Sequence, residues 1–102
     1  MMYRQGDVLV VPVDAAVAGD PLSREEGRIV LAHGEATGHA HAIAEPTAAL
    51  FAIPESADRH LRLVRPSMLL HEEHAPIELP AGTYRVRRQR EYHPEEIRTV
   101  AD

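Results

Sequence analysis

The chain contains no cysteine. That removes disulfides, thiolate nucleophiles, iron–sulfur clusters and every zinc site built on sulfur. Lysine, asparagine and tryptophan are absent too, and all 11 basic residues are arginine. With its abundant alanine, this composition points to a GC-rich genome of the bacterial kind, so the choice of arginine over lysine carries no argument about planar recognition. Aromatic residues make up only 4%. No apolar run approaches the roughly 20 residues of a membrane-spanning helix. The opening residues, Met1 to Asp7, hold no apolar segment of the signal-peptide kind, which predicts a cytoplasmic protein. Ser23, Ser56 and Ser67 sit in no nucleophile-elbow pattern, and no glycine-rich phosphate loop is present.

What remains is one domain's worth of chain: 102 residues, 44% of them hydrophobic, with a net charge of −5 and a pI near 5.8. The acidic balance weighs against a dedicated nucleic-acid or anionic-membrane binder. Proline and glycine are spread along the chain and cut it into short pieces, a pattern of strands and turns. Strands are expected over Asp7–Val13, Arg28–His33, His39–Glu45, Ala48–Ile53 and His60–Val64, with apolar or extended pieces at Ser67–Leu70 and Ile77–Leu79. Pro12 marks an edge or a strand end. The longest alternating stretch is Thr83–Tyr92, with Tyr84, Val86, Arg88, Arg90 and Tyr92 on one face. The loop Asp14–Gly27 has room for one helical turn, and so does His93-Pro94-Glu95-Glu96. No stretch has the long helical period of a crossover helix. Residues 1–102 therefore read as a single all-β domain, a small antiparallel barrel or sandwich with at most one short helix.

Seven histidines are many for this length, and they cluster. His39 and His41 are two apart, so on a strand both imidazoles project from one face, side by side, as chelation of one divalent ion requires. Glu45 has the same parity and offers a carboxylate if the strand runs on that far. His33 stands just before the Gly34–Gly38 turn and is positioned to fold back toward the pair. His71 and His74 flank Glu72 and Glu73. On a strand their three-residue spacing puts them on opposite faces, so one of the two joins the pair, unless the stretch is a turn. A glutamate here is also a candidate general base on a metal-bound water, although His-Glu-Glu-His lacks the spacing of the helical metalloprotease motif. Imidazole with carboxylate suits a divalent transition metal, and an open position on it would activate water or dioxygen.

The segment from Gly34 through Gly38, His39, His41 and Glu45 resembles the first motif of the cupin family, and Pro80-Ala81-Gly82 resembles the Pro-x-Gly turn of the second. The resemblance covers roughly residues 34 to 85. It implies a cupin-like β-barrel with metal ligands at His39, His41 and Glu45. The third histidine of the family pattern falls at Arg85, and His71 or His74 is then the residue to complete the set. The wider pattern, from Tyr3-Arg4-Gln5-Gly6-Asp7 to Arg88-Gln89-Arg90-Glu91-Tyr92, also looks like a family of small uncharacterised bacterial proteins, which brings no activity with it.

The leading expectation is thus a small metal-binding β protein, acting on a small polar substrate if it is an enzyme, with sites at His39, His41, Glu45 and His71 or His74. Two others stand beside it. One is a non-catalytic interaction or assembly module, dimerising through its edge strands. The other is a nucleic-acid binder using Arg85 to Tyr92, with tyrosine stacking and arginine on phosphate. In that reading the competing fate of the arginines is pairing with Glu91, Glu95 and Glu96.

Overall fold

The computed structural model describes residues 1–17, 19–34 and 36–89. Ten strands run in the order β1 (Tyr3–Gln5), β2 (Val8–Pro12), β3 (Asp20–Pro21), β4 (Ile29–His33), β5 (Ala40–Ile43), β6 (Ala49–Ala52), β7 (Arg59–Leu63), β8 (Ser67–His71), β9 (His74–Leu79) and β10 (Gly82–Arg88). They form two antiparallel sheets, one ordered β1-β2-β10-β7-β6-β3 and one ordered β4-β5-β8-β9. Among the described residues there is no helix and no closed barrel, so of the two expected architectures two facing sheets are the one formed. No helix is long and apolar enough to cross a membrane.

The strands follow from local chemistry. In β2, Val8, Val10 and Val11 are β-branched and favour extended backbone. Pro12 is its last residue, beyond the reach of β1, whose pairing stops at Tyr3↔Val10. The missing N–H therefore costs that neighbour nothing. The Asp14–Gly27 loop contains the short strand β3 in place of the expected helical turn. Its Pro21 and Gly19 oppose helix, and β3 gains partners by pairing Asp20 and Pro21 with Ala52 and Phe51 of β6. Strand β10 ends at Arg88. Arg90, Tyr92 and the expected turn at His93–Glu96 lie outside the described residues.

The sheets close on one core. Val8, Val10, Leu61, Tyr84 and Val86 from the larger sheet meet Ile29, Ile43, Leu69 and Leu79 from the smaller. Each buried aliphatic side chain of this size contributes roughly 1.5–3 kcal/mol by leaving water. On β10 the alternation is plain, with Tyr84 and Val86 inward and Arg88 next on the same face, at the end of the sandwich. Three connections gather at that end: Gly6-Asp7 between β1 and β2, the one between β4 and β5 closed by the Gly34 N–H on the His39 carbonyl, and Glu72-Glu73 between β8 and β9.

Candidate metal centre

Strand β5 delivers the first two imidazoles. His39 immediately precedes β5 and His41 lies on it, and the rings of both meet that of His71. His41 is only 2% exposed, and His39 is partly exposed where the strand begins. The hairpin β8–β9 delivers the other two. Its two-residue turn sets His71 directly across from His74, so both histidines lie on one face. The turn that the sequence left as the exception is what forms, and both join the pair. Ring centroids lie 4.3 Å apart for His41–His71, 4.6 Å for His71–His74, 5.6 Å for His39–His71 and 5.8 Å for His41–His74. His71 is the hub.

The turn also supplies carboxylates. Ligand atoms of His39, His71 and Glu72 all lie within 4.8 Å of one another, close enough to converge on one ion with small side-chain adjustments. The Glu72 carboxylate accepts the Ala40 N–H at 3.0 Å, which fixes it across the mouth of β5 and holds its pKa below the ordinary value. Glu73 stands 3.8 Å from His39 Nδ1. Its backbone N–H donates to His71 Nδ1 at 3.0 Å and orients that ring, so a cation taking His71 through Nδ1 would replace this hydrogen.

Behind the rings lies a layer from β1 and its turn. Gln5, itself buried, donates from Nε2 to the carbonyls of Leu69 and Ala75, both at 3.0 Å, and its Oε1 meets His41 Nδ1 at 2.9 Å. Asp7 binds the Arg88 guanidinium at 3.0 Å, and its other oxygen stands 3.6 Å from His41 Nε2. Burial pushes the His41 pKa down to about 4; the neighbouring His71 adds to the effect and Asp7 opposes it. Burial raises Asp7, but Arg88 outweighs it and the carboxyl stays below its ordinary value. Gly6, at φ +58°, occupies the first turn position of a two-residue hairpin. A Cβ there would stand 2.8 Å from His74 Nε2. A Cβ at Gly34 would stand 2.9 Å from that of His39 and 3.2 Å from His71 Nε2. Both glycines leave room for the rings.

The structure does not bring Glu45 to this group. Strand β5 stops at Ile43, and the Glu45 carboxylate turns onto the hydroxyl and N–H of Thr47, with Arg65 at 3.8 Å. The parity argument assumed a strand that ran two residues further. His33 does not fold back either, but pairs with Glu25 at 3.0 Å. Sequence reasoning did not assign Gln5 and Asp7. The only signal for them was the Gly6-Asp7 turn, which implies a preceding strand that three polar residues do not announce.

The arginine strand has a different fate. Tyr84 is buried, with its hydroxyl donating to Pro80 O. Arg85 and Arg87 share Asp58 at 2.7 and 3.2 Å, and Arg88 holds Asp7 and the His33 carbonyl. Glu91, Glu95 and Glu96, the partners expected from sequence, lie outside the described residues. A separate cleft of about 600 Å³ opens between β4 and β10, lined by Leu31, Leu50 and Val86 with Arg59 and Arg88 at its polar side. None of the four clustered histidines lines it.

No curated protein and no solved structure matches the chain. A family model described as a domain of unknown function, DUF8820, matches residues 4–89, a span that takes in every residue of the cluster, and the chain belongs to that family.

Proposed function

We propose that this domain binds a divalent transition metal at the mouth of the histidine cluster, with His39, His71 and Glu72 as the ligands. The observation that carries the reading is the approach of their ligand atoms to within 4.8 Å of one another. Two imidazoles and a carboxylate fit such an ion chemically, and they leave further coordination positions open. The cupin resemblance of the His39–His41 segment supports the same reading, with Glu72 in the carboxylate role that the resemblance gave to Glu45. A metal held this way would supply Lewis-acid activation of a bound water or of dioxygen. The chain's own residues then divide the work. Glu72 stays ionised through its bond to Ala40, Glu73 orients His71, and Glu73 is the exposed carboxylate free to move a proton at the rim.

The test is the metal content of untagged protein beside a His39→Ala/Glu72→Gln double variant. The expected result is a transition-metal equivalent in the wild type that the variant lacks at unchanged fold. Equal metal in both, or none in the wild type after reconstitution, overturns the assignment.

A second reading, an interaction module, draws on one observation. Met68 and Leu70 are 43% and 45% exposed on the outer face of β8, beside the edge strand β9. Sedimentation of wild type against Met68→Ser/Leu70→Ser would show a dimer lost in the variant, or a monomer in both.

A further inference from the structure

Strand register puts one arginine on the inner face of the larger sheet. Arg59 opens β7 and stands across from Val86 of β10 and Ala52 of β6. Residues paired in register share a face, and Val86 is in the core, so Arg59 faces inward with it. There it lines the cleft between β4 and β10, beside Leu31, Leu50 and Val86. The acidic groups at hand are committed to other partners. Asp58, its neighbour in sequence, is held by Arg85 and Arg87, which alternate with the inward Tyr84 and Val86 and so lie on the outer face. Glu25, also on the cleft wall, pairs with His33 at 3.0 Å. Asp7 holds Arg88. Among the described residues, no carboxylate pairs with Arg59.

The anchoring of Arg59 leaves one defined edge of its guanidinium open. Nη1 donates to the carbonyls of Ala57 at 2.9 Å and Asp58 at 3.3 Å. What remains is the edge made by Nε and Nη2, whose parallel N–H groups match the two oxygens of one carboxylate. Among the described residues neither atom has an acceptor. A cation drawn against an apolar wall is costly unless solvent or a ligand answers it. The cleft, at about 600 Å³, is of the size that takes small molecules, and it has their usual lining: apolar side chains with a few placed polar groups. One open guanidinium edge suits a single negative charge. A more highly charged anion would find no second open cation and would meet Glu25.

We propose that the cleft between β4 and β10 binds a small carboxylic acid with an apolar body. Its carboxylate lies on the Nε–Nη2 edge of Arg59, and its chain lies along Leu31, Leu50 and Val86. Arg88 bounds the cleft without being the anchor, because Asp7 and the His33 carbonyl already take its donors. Glu25 and His33 hold each other and leave Arg59 to face the ligand. None of the four clustered histidines lines this cleft, so the site stands whether or not a metal is bound at His39, His71 and Glu72.

The experiment is titration of nitrogen-15-labelled, full-length protein with sodium octanoate, followed by amide chemical shifts. A chelating buffer keeps any metal from taking the carboxylate, and octanol serves as the uncharged probe. The expected result is saturable shifts at Leu31, Leu50 and Val86, with octanol binding weaker than octanoate by about tenfold or more. Arg59→Gln should weaken octanoate by about tenfold and leave octanol unchanged. Ala57→Phe, at an exposed position on the cleft wall, should weaken both. No saturable binding to the wild type overturns the proposal, as do shifts centred on His39 and His71 or on Met68 and Leu70. Equal affinity for octanoate in wild type and Arg59→Gln overturns it too, and so does wild-type affinity in Ala57→Phe. If Arg59→Gln does not fold, the wild-type preference between octanoate and octanol decides the anchor, and equal binding of the two overturns it.

Discussion

Two clusters of ionisable side chains stand out in this molecule, and they are built on opposite principles. At Asp58 the pattern is ion pairing: Arg85 and Arg87 converge on one carboxylate oxygen, at 2.7 and 3.2 Å. At the histidine end Arg88 answers Asp7, and the rest of the cluster is mostly imidazoles packed against one another. Asp7 Oδ1 stands 3.6 Å from His41 Nε2, too far for a hydrogen bond, and three rings crowd around His71. A carboxylate held between two guanidiniums contributes to the fold and presents a positive surface that a cation avoids. A cluster of imidazoles that is held rigid is a binding site in form, because preorganised donors cost less to bring together at the moment of binding. The same sequence thus carries two dense polar patterns, one built of ion pairs and one of packed imidazoles.

The sharpest way to test that contrast is to remove the residue that holds the histidine end together. Gln5→Ala deletes three hydrogen bonds, two of them buried, and strands two backbone carbonyls and His41 Nδ1. The expected loss is about 3–4 kcal/mol, read from urea unfolding. A loss under about 1 kcal/mol would mean that this end is not rigid, and the comparison would fail.

Acidification should separate the two clusters by pH window. The His41 pKa is depressed to about 4 in the fold from an ordinary 6.5. The unfolded chain therefore takes up this proton first as pH falls. Its contribution is complete above about pH 6.5 and is lost on the way down to about 4, a change on the order of 3 kcal/mol in the metal-free protein. Asp58 has a lowered carboxyl: burial raises it, and the bonds from Arg85 and Arg87 more than reverse that. Its contribution persists above the ordinary carboxylate range and disappears only as pH falls through its lowered value. Chemical denaturation of metal-free protein at pH 7.5, 6.5 and 5.5 should show stability already falling above the ordinary carboxylate range. A flat profile across those three values would break the contrast.

The smallest effect is expected from the ion-paired cluster. Asp58→Asn should cost about 1 kcal/mol, because Arg85 and Arg87 are both well exposed and solvent screens the pair. It should leave metal content unchanged. A change in metal binding would show that the arginine strand and the histidine end are coupled through β10.

Much of the scaffold was legible from residue pattern alone. β-branched runs between turns marked β2 and β4, and alternation marked the inward Tyr84 and Val86 of β10. Strand parity put His39 and His41 on one face, and both rings meet that of His71, while the converging ligand atoms are those of His39, His71 and Glu72 without His41. It failed two residues later, because a pattern carries no information on where a strand stops, and Glu45 had left for Thr47. His71 and His74 were legible only as a condition, since a spacing of three means opposite faces on a strand and the same face across a two-residue turn. Gln5 and Asp7 were illegible for a different reason. Their roles are made by partners distant in sequence, His41 being 36 residues from Gln5, and their strand is too short for any periodicity.

The double reach of Gln5 has one more consequence. Its amide spans from the larger sheet to β8 and β9 of the smaller, and its oxygen holds a ring of the cluster. Closing the two sheets and fixing the His41 ring are thus one event. An ion that binds only the closed form would act as a thermodynamic clasp, adding about 2.7 kcal/mol when its free concentration is a hundred times its dissociation constant. For a domain this small, metal supply in the surroundings would then help decide how much of the chain is folded at all.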